Sequence, residues 1–356
     1  MKTLRLAIDP AHLDSADARQ AIAQAAEILR RGRLVALPTE TVYGLGAHAL
    51  DVAAVARIFE AKQRPAWDPV IVHIAGPVTS NPMLDALVTE VPTHARALIA
   101  AFWPGPLTLL LPRSTAVPDA VTAGRPLVGI RMPAHPVAFA LIQQAGIPIA
   151  APSANRFGHT SPTTADHVLD DLDGRIDAIL DAGPTQHGLE STVLDPNQSP
   201  MRIYRPGAIS AEQIRAVAGP AENYSTLHSP ASEPIEALPS PGVGIRHYAP
   251  RARLILLDAP LPALRDRLAD AVKMHAGESV GILLPAELSD TPAAKAGENL
   301  HVYPWGRWSS HEELARNLYA GMRALDAAGC AVILCPLPPA EGLGAAIRDR
   351  LRKAAL

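Results

Sequence analysis

The nine residues Pro38-Thr39-Glu40-Thr41-Val42-Tyr43-Gly44-Leu45-Gly46 place two hydroxyls, a carboxylate, a phenol and two glycines directly after a short apolar run, Leu34-Val35-Ala36-Leu37. A loop so furnished can offer many hydrogen bonds to a polar ligand, and a self-contained hydrogen-bonded turn is the plainer reading of the same residues. Gly44-x-Gly46-x-x-Ala49 loosely matches a dinucleotide fingerprint, but these glycines stand beyond the strand end instead of at a strand-helix turn, which argues against that use. Lys62-Gln63-Arg64-Pro65-Ala66-Trp67-Asp68-Pro69 sets two cations where a helical pattern must stop. They can answer the helix dipole, or they can hold a polyphosphate, arginine as a planar fork and lysine as a point charge. His73, inside Val70-Ile71-Val72-His73-Ile74, reads either as a core histidine or as a ligand contact.

A third group comprises Gly129-Ile130-Arg131, Ser153-Ala154-Asn155, Ser161, Glu190-Ser191-Thr192 and Arg205-Pro206-Gly207. Most follow directly on an expected strand, where ligands sit in α/β sheets. Serine and asparagine in place of paired carboxylates imply positioning by hydrogen bonds, and the arginines imply at least two anionic groups to be held. The residues describe a cleft for something like a nucleotide plus a carboxylate. No Gly-x-x-x-x-Gly-Lys-Ser/Thr loop and no Gly-x-Ser-x-Gly elbow occurs, and His311-Glu312-Glu313 lacks the second histidine of a zinc-protease helix.

The elements that must position these groups alternate. Apolar residues at three- and four-residue spacing predict helices at Ala21-Leu29, in the stretch capped by Asp51, and near Thr93-Phe102, Pro136-Gln144 and Thr164-Leu172. Strands are expected at Leu34-Leu37, Val70-Ile74, Leu107-Leu111, Leu127-Arg131, Ile147-Ala151, Ile176-Leu180 and Ser191-Leu194. This pattern predicts an α/β domain with a twisted mixed sheet over residues 1–218. Residues 219–251, rich in proline, serine and glycine, read as an interdomain linker. Alternating patterns over 252–356 predict a small three-layer, Rossmann-like α/β domain with a largely parallel sheet.

With 356 residues the chain exceeds what one core usually organises. Its 48% hydrophobic and 19% charged residues place it among globular proteins, and no apolar run is long enough for a bilayer helix, so a cytoplasmic location is expected. Cys330 and Cys335 read as buried small hydrophobes. A net charge of −3 with 4% aromatics argues against coating nucleic acid and toward small partners.

The strings Pro-Thr-Glu-Thr-Val-Tyr-Gly-Leu-Gly (38–46), Lys-x-Arg-Pro (62–65), Val-His-Ile (72–74), Trp-Pro-Gly-Pro-Leu-Thr (103–108), Ser-Ala-Asn (153–155), Ser-Thr-Val-x-Asp (191–195) and Arg-x-Gly (205–207), in this order, resemble the YrdC-like domain. His247-Tyr248-Ala249-Pro250 and the ending from Gly342 resemble the two-domain threonylcarbamoyl-AMP synthases, so the likeness covers nearly the whole chain. That resemblance implies an ATP-using nucleotidyltransferase. L-threonine and bicarbonate form a carbamate that attacks the α-phosphate of ATP, releasing pyrophosphate, with Mg²⁺ expected. The product feeds tRNA modification through a tRNA threonylcarbamoyl transferase, with no membrane and no stable nucleic-acid contact expected.

Carried onto this sequence, the resemblance gives threonine to Thr41, His73, Arg131 and Ser191. It gives ATP to Lys62, Arg64, Asp68, Ser153, Asn155, Ser161 and Arg205, with Lys62 and Arg64 as the catalytic cations; no metal ligand is assigned. Asp68 stands where such proteins commonly have asparagine and Leu127 where threonine is common, and Val243-Gly244-Ile245 lacks the usual methionine, basic and aromatic residues. A carboxylate near a triphosphate repels it unless a metal bridges the two, so Asp68 is expected to alter ATP affinity or to bind Mg²⁺. The stretch 240–250, with hinge-capable glycines, Arg246, His247 and Tyr248, reads as a lid in which Arg246 meets phosphate and Tyr248 closes on the nucleotide; a solvated tether is the alternative. The competing function is a nucleic-acid-binding YrdC-like module without synthase activity. A carbamoyl-transfer enzyme with another substrate is a further rival.

Overall fold

A computed structural model describes residues 2–224, 247–290 and 299–356. The chain divides into two compact units, one of Met1–Phe157, Pro162–Gln186 and Glu190–Gly244, the other of Ile245–Leu356 with Gly158–Ser161 and His187–Leu189. In chain order the strands of the first are β1 (Leu4–Ala7), β2 (Val35–Leu37), β3 (Gly44–His48), β4 (Val72–His73), β5 (Leu107–Pro112), β6 (Leu127–Arg131), β7 (Ile149–Ala150), β8 (Ala178–Asp181), β9 (Thr192–Asp195), β10 (Met201–Arg205) and β11 (Ala221–Asn223). Among the described residues they join into one mixed sheet, ordered β1-β8-β2-β3-β7-β4-β6-β5-β9-β10-β11.

Strand alternation sorts this sheet into two faces. Val72, Leu109, Val128, Ile130 and Leu194 enter the large core. Their neighbours Ile71, Leu110 and Val193 form a small apolar floor with Leu127 and Tyr204. Each fully buried aliphatic chain contributes about 1.5–3 kcal/mol, which fixes the register and with it the direction of Arg131 and His73, on the floor's side of β6 and β4. Pairing Leu109 with Ile130 brings Thr108 beside Arg131, and a register shift between Ile203 and Arg205 interrupts the alternation just before Arg205.

Helix boundaries follow their caps. Ser15 accepts from Ala18 N and starts the helix Ala16–Arg30, earlier than its apolar period suggests. Asp51 caps Val52–Lys62, and Gln63, at φ 55°, ends it one residue before Arg64. Gly44 and Gly46 lie within β3, antiparallel to β2, so they form no strand-helix phosphate turn. A Cβ at Gly46 would meet Leu37 Cδ2 at 2.9 Å, a packing reason for the glycine.

Within the stretch expected to be a structureless linker, Ala221–Asn223 pairs in parallel with β10. Three residues without alternation or β-branching give no sequence signal for it. Residues 225–246, which hold most of the expected lid including Arg246, lie outside the described residues.

The second unit has β12 (Arg253–Leu257), β13 (Val280–Pro285), β14 (Leu300–Gly306) and β15 (Val332–Pro336), ordered β12-β15-β13-β14 with every pair parallel. β14 escapes the sequence pattern because it carries Pro304, which a central strand rejects and an edge strand tolerates. Helices Leu261–Met274, His311–Ala327 and Leu343–Ala354 complete it. Cys330 and Cys335 are buried and free. Among the described residues no helix is long and apolar enough to cross a membrane.

Candidate active site

The turn after β2 is tied by Thr39, whose Oγ1 donates to Val42 O at 2.6 Å and accepts from the amides of Thr41 and Val42 at 3.2 and 3.3 Å. Tyr43 anchors its far side by donating to Gly183 O at 2.7 Å. Thus fixed, the turn presents Glu40 and Thr41 to Arg131 at the end of β6. Arg131 Nη1 donates to Thr41 Oγ1 at 3.0 Å and Nε to Gly105 O at 3.2 Å. Its Nη2 lies 2.6 Å from Glu40 Oε1 but off the hydrogen-bond direction, so the contact is an ion pair rather than an aligned bond.

Burial pushes Glu40 upward, yet the Arg131 charge and the amides of Glu40 and Ala134 outweigh it, and its carboxyl stays below the usual range. His73, register partner of Arg131, is driven down to about 3 by burial and then by the Arg131 charge. It is a neutral imidazole at physiological pH.

Beside this group, Thr108 Oγ1 and Ser191 Oγ lie 2.8 Å apart where β5 and β9 run parallel. Arg205 grips Ser191 twice, Nη2 to Oγ and Nε to the carbonyl, both at 3.0 Å. The turn that follows can be this tight because Gly207 lies where any Cβ would strike the backbone of Glu190 and Thr192.

The cations before β4 are engaged differently. Lys62 is buried, and its Nζ donates to Ser153 O at 2.6 Å and also to Asn155 O. Burial, then the neighbouring Arg64, pulls its ammonium well below the ordinary lysine value. Arg64 donates from Nε to Asp68 O at 3.2 Å and from Nη2 to Pro69 O at 2.7 Å, with Nη2 also 2.9 Å from Asp68 Oδ2. Asp68 is raised because burial outweighs Arg64, Lys62, Arg125 and Arg205 together. The influence of Arg205 on Asp68 makes the groups around Ser191 and Arg64 electrostatic neighbours.

Thr41, His73, Arg131, Ser191, Arg205, Lys62, Arg64, Asp68, Ser153 and Asn155 thus gather along this part of the first unit. Ser161 is fully buried in a segment of the second unit. Tyr248 is also buried there, stacked on Tyr319 with ring centroids 5.9 Å apart and with the Arg350 guanidinium 5.2 Å from its ring centre.

Three residues join the site that sequence reasoning did not single out. Glu40 and Thr108 lie inside strings already notable, but their partners are distant in sequence. Arg125 had no local signal at all; its Nη1 is buried without a hydrogen-bond partner among the described residues. As for Mg²⁺, Asp68 already faces Arg64, and no group of three or more His, Cys, Asp or Glu among the described residues is placed to hold a metal. The donor set does not fit a resident ion.

Residues 27–207 match the family profile of the Sua5, YciO and YrdC proteins, described as telomere recombination, and residues 209–356 match that of the threonylcarbamoyl-AMP synthase C-terminal domain. The threonylcarbamoyl-AMP synthase of Pyrococcus abyssi is 42% identical over 332 residues, covering 93% of this chain and 92% of its own. That of Bacillus subtilis is 43% identical over 356 residues, covering 100% and 98%. The crystal structure of Pyrococcus abyssi Sua5 complexed with L-threonine matches with a TM-score of 0.86 at 40% identity, over 100% of this chain and 98% of that one.

Proposed function

The chain belongs to the threonylcarbamoyl-AMP synthase family, and from that premise we propose how its own residues carry out the synthase reaction. The enzyme converts ATP, L-threonine and bicarbonate to threonylcarbamoyl-AMP, pyrophosphate and water. Threonine and bicarbonate condense to a carbamate with loss of water; a carbamate oxygen then bonds to the α-phosphorus of ATP as the bond to pyrophosphate breaks. This is nucleotidyl transfer, and the adenylate goes on to a tRNA threonylcarbamoyl transferase.

Arg131, braced by Glu40 and Thr41, faces the threonine carboxylate; neutral His73, Thr41 and Ser191 complete that seat. Lys62 shapes the 153–155 backbone through its two carbonyl contacts, and Ser153, Asn155, Arg64 and Arg205 hold the nucleotide and its phosphates. Arg64 also supplies positive charge where negative charge gathers on the leaving pyrophosphate, and Lys62 joins it once the phosphates' charge offsets the burial that lowers its ammonium. Catalysis is positioning and charge neutralisation, since no nucleophile-base pair stands among these side chains. Mg²⁺ would come with the ATP phosphates as part of the substrate, not on ligands of this chain among the described residues.

The observation that carries this reading is the presence, within the first unit, of an arginine seat beside a neutral histidine and of a group of cations around Asp68. It is tested by incubating the protein with ATP, bicarbonate, Mg²⁺ and labelled threonine. Pyrophosphate release requiring both threonine and bicarbonate is expected, and release indifferent to threonine would overturn the reading. Losing a charged hydrogen bond costs about 1.5–3 kcal/mol, roughly tenfold to a hundredfold in affinity. Calorimetry should therefore show Arg64→Ala weakening ATP and Arg131→Ala weakening threonine, and equal losses of both ligands in both variants would refute the division.

A further inference from the structure

We propose that the Asp68 carboxylate is the resident anion of the seat that Arg64 offers to an ATP phosphate, so that nucleotide binding exchanges one anion for another. The inference rests on the ATP-binding reading above and adds a positioning residue to it.

A guanidinium fork donates to a carboxylate or to a phosphate through the same planar geometry. Here Arg64 and Asp68 are 3% and 6% exposed, with 2.9 Å between Nη2 and Oδ2. A buried guanidinium left without a counter-charge is costly, so the carboxylate stabilises Arg64 when no nucleotide is bound. It does not place Arg64 alone: the carbonyls of Asp68 and Pro69 hold Nε and Nη2 independently of that carboxylate. Lys62, Arg64, Arg125 and Arg205 all pull Asp68 toward its charged form, so cations surround this carboxylate even though burial outweighs them. Arg125 Nη1, buried and unpartnered among the described residues, is a donor still to be used.

A phosphate arriving at Arg64 would meet a like charge on Asp68. Asp68 must then turn away or take up a proton, and burial already disfavours its charged form. Either path leaves Arg64 preorganised in the free protein at the expense of ATP affinity.

Asp68→Asn keeps the shape and an acceptor for Nη2 but removes the charge. We expect its KM for ATP to fall on the order of tenfold, equivalent to about 1.4 kcal/mol, without a matching change in KM for threonine. Inorganic pyrophosphate, titrated calorimetrically without turnover, should bind more tightly to the same extent. Asp68→Ser, also uncharged, should shift both readouts in the same direction. If both variants leave ATP and pyrophosphate binding unchanged or weaker while Arg64→Ala weakens both ligands, Asp68 is a structural partner only and the exchange is wrong. If Arg64→Ala also leaves both ligands unaffected, the phosphate seat itself is misassigned and the inference falls with it. Failure of both Asp68 variants to fold would show that the fold requires the carboxylate, which also overturns the proposal.

Discussion

Arg131 and Arg64 each stand against a buried carboxylate, 2.6 Å from Glu40 and 2.9 Å from Asp68, yet their surroundings move the two acids in opposite directions. Around Glu40 one arginine and nearby amides overcome burial, and the charged form is favoured. Around Asp68 four cations fail to overcome it, and the charged form is disfavoured. Both arginines spend two donors elsewhere, Arg131 on Gly105 O and Thr41 Oγ1 and Arg64 on the Asp68 and Pro69 carbonyls, so the difference lies at the acids: backbone amides help the arginine lower Glu40, whereas at Asp68 only side-chain cations oppose burial. A short arginine-carboxylate distance therefore describes a permanent brace in one region and a replaceable partner in the other.

The largest expected effect breaks the brace. Glu40→Gln leaves Arg131 buried beside a neutral amide, and removing one partner of a buried pair costs about 3–5 kcal/mol. Urea unfolding should register that loss, with threonine affinity falling alongside; an unchanged midpoint would erase the contrast between the two regions.

Next comes Lys62→Met, which keeps the packing volume but strips the donors from Ser153 O and Asn155 O. Unsatisfied buried acceptors cost about 1–3 kcal/mol each, so stability should fall, and ATP binding should fall further than threonine binding. Equal losses for both substrates would mean that Lys62 serves the whole sheet and not the 153–155 turn.

His73 gives the region around Arg131 a pH signature. Its folded value of about 3 lies below the ordinary histidine value. As pH falls below about 6.5 the unfolded chain gains a proton that the folded protein refuses, and stability declines by about 1.4 kcal/mol per unit. The lowered Glu40 adds a loss at lower pH, once its carboxyl protonates. His73→Asn should flatten the stability curve between pH 6.5 and 4.5, measured by urea titration at stepped pH; an equally steep curve would show that the imidazole is not the group responsible.

The smallest effect is expected on the stability of Asp68→Asn. A carboxyl raised by folding costs stability as pH rises past its unfolded value, which offsets part of what Arg64 loses with its counter-charge, so at pH 7 this variant should lose less stability than Glu40→Gln. Thermal unfolding of this variant beside Glu40→Gln makes the comparison directly, and similar large losses in both would show two braces.

Much of this architecture is written locally. The period of two in Leu127-Val128-Gly129-Ile130-Arg131 assigns Val128 and Ile130 to the core, and Asp51 with Pro65 brackets the helix that ends at Lys62. The same reading passes over β14 and β11, one hidden by Pro304 and the other too short to carry a period. It passes over Arg125 as well, an ordinary cation in a turn until the fold brings it toward Asp68.

The sequence by itself determined which residue types stand at the strand ends and which faces are apolar, because caps, prolines and alternation act within a turn of helix or a few residues of strand. Only the tertiary structure decided which charge answers which. Glu40 and Arg131 are far apart in sequence, as are Lys62 and the carbonyls it holds, and strand pairing between remote segments sets those distances. Even Arg64 and Asp68, four positions apart, take their character from the whole fold. Water must be excluded on every side before burial can outweigh four cations, and no stretch of neighbouring residues excludes it alone.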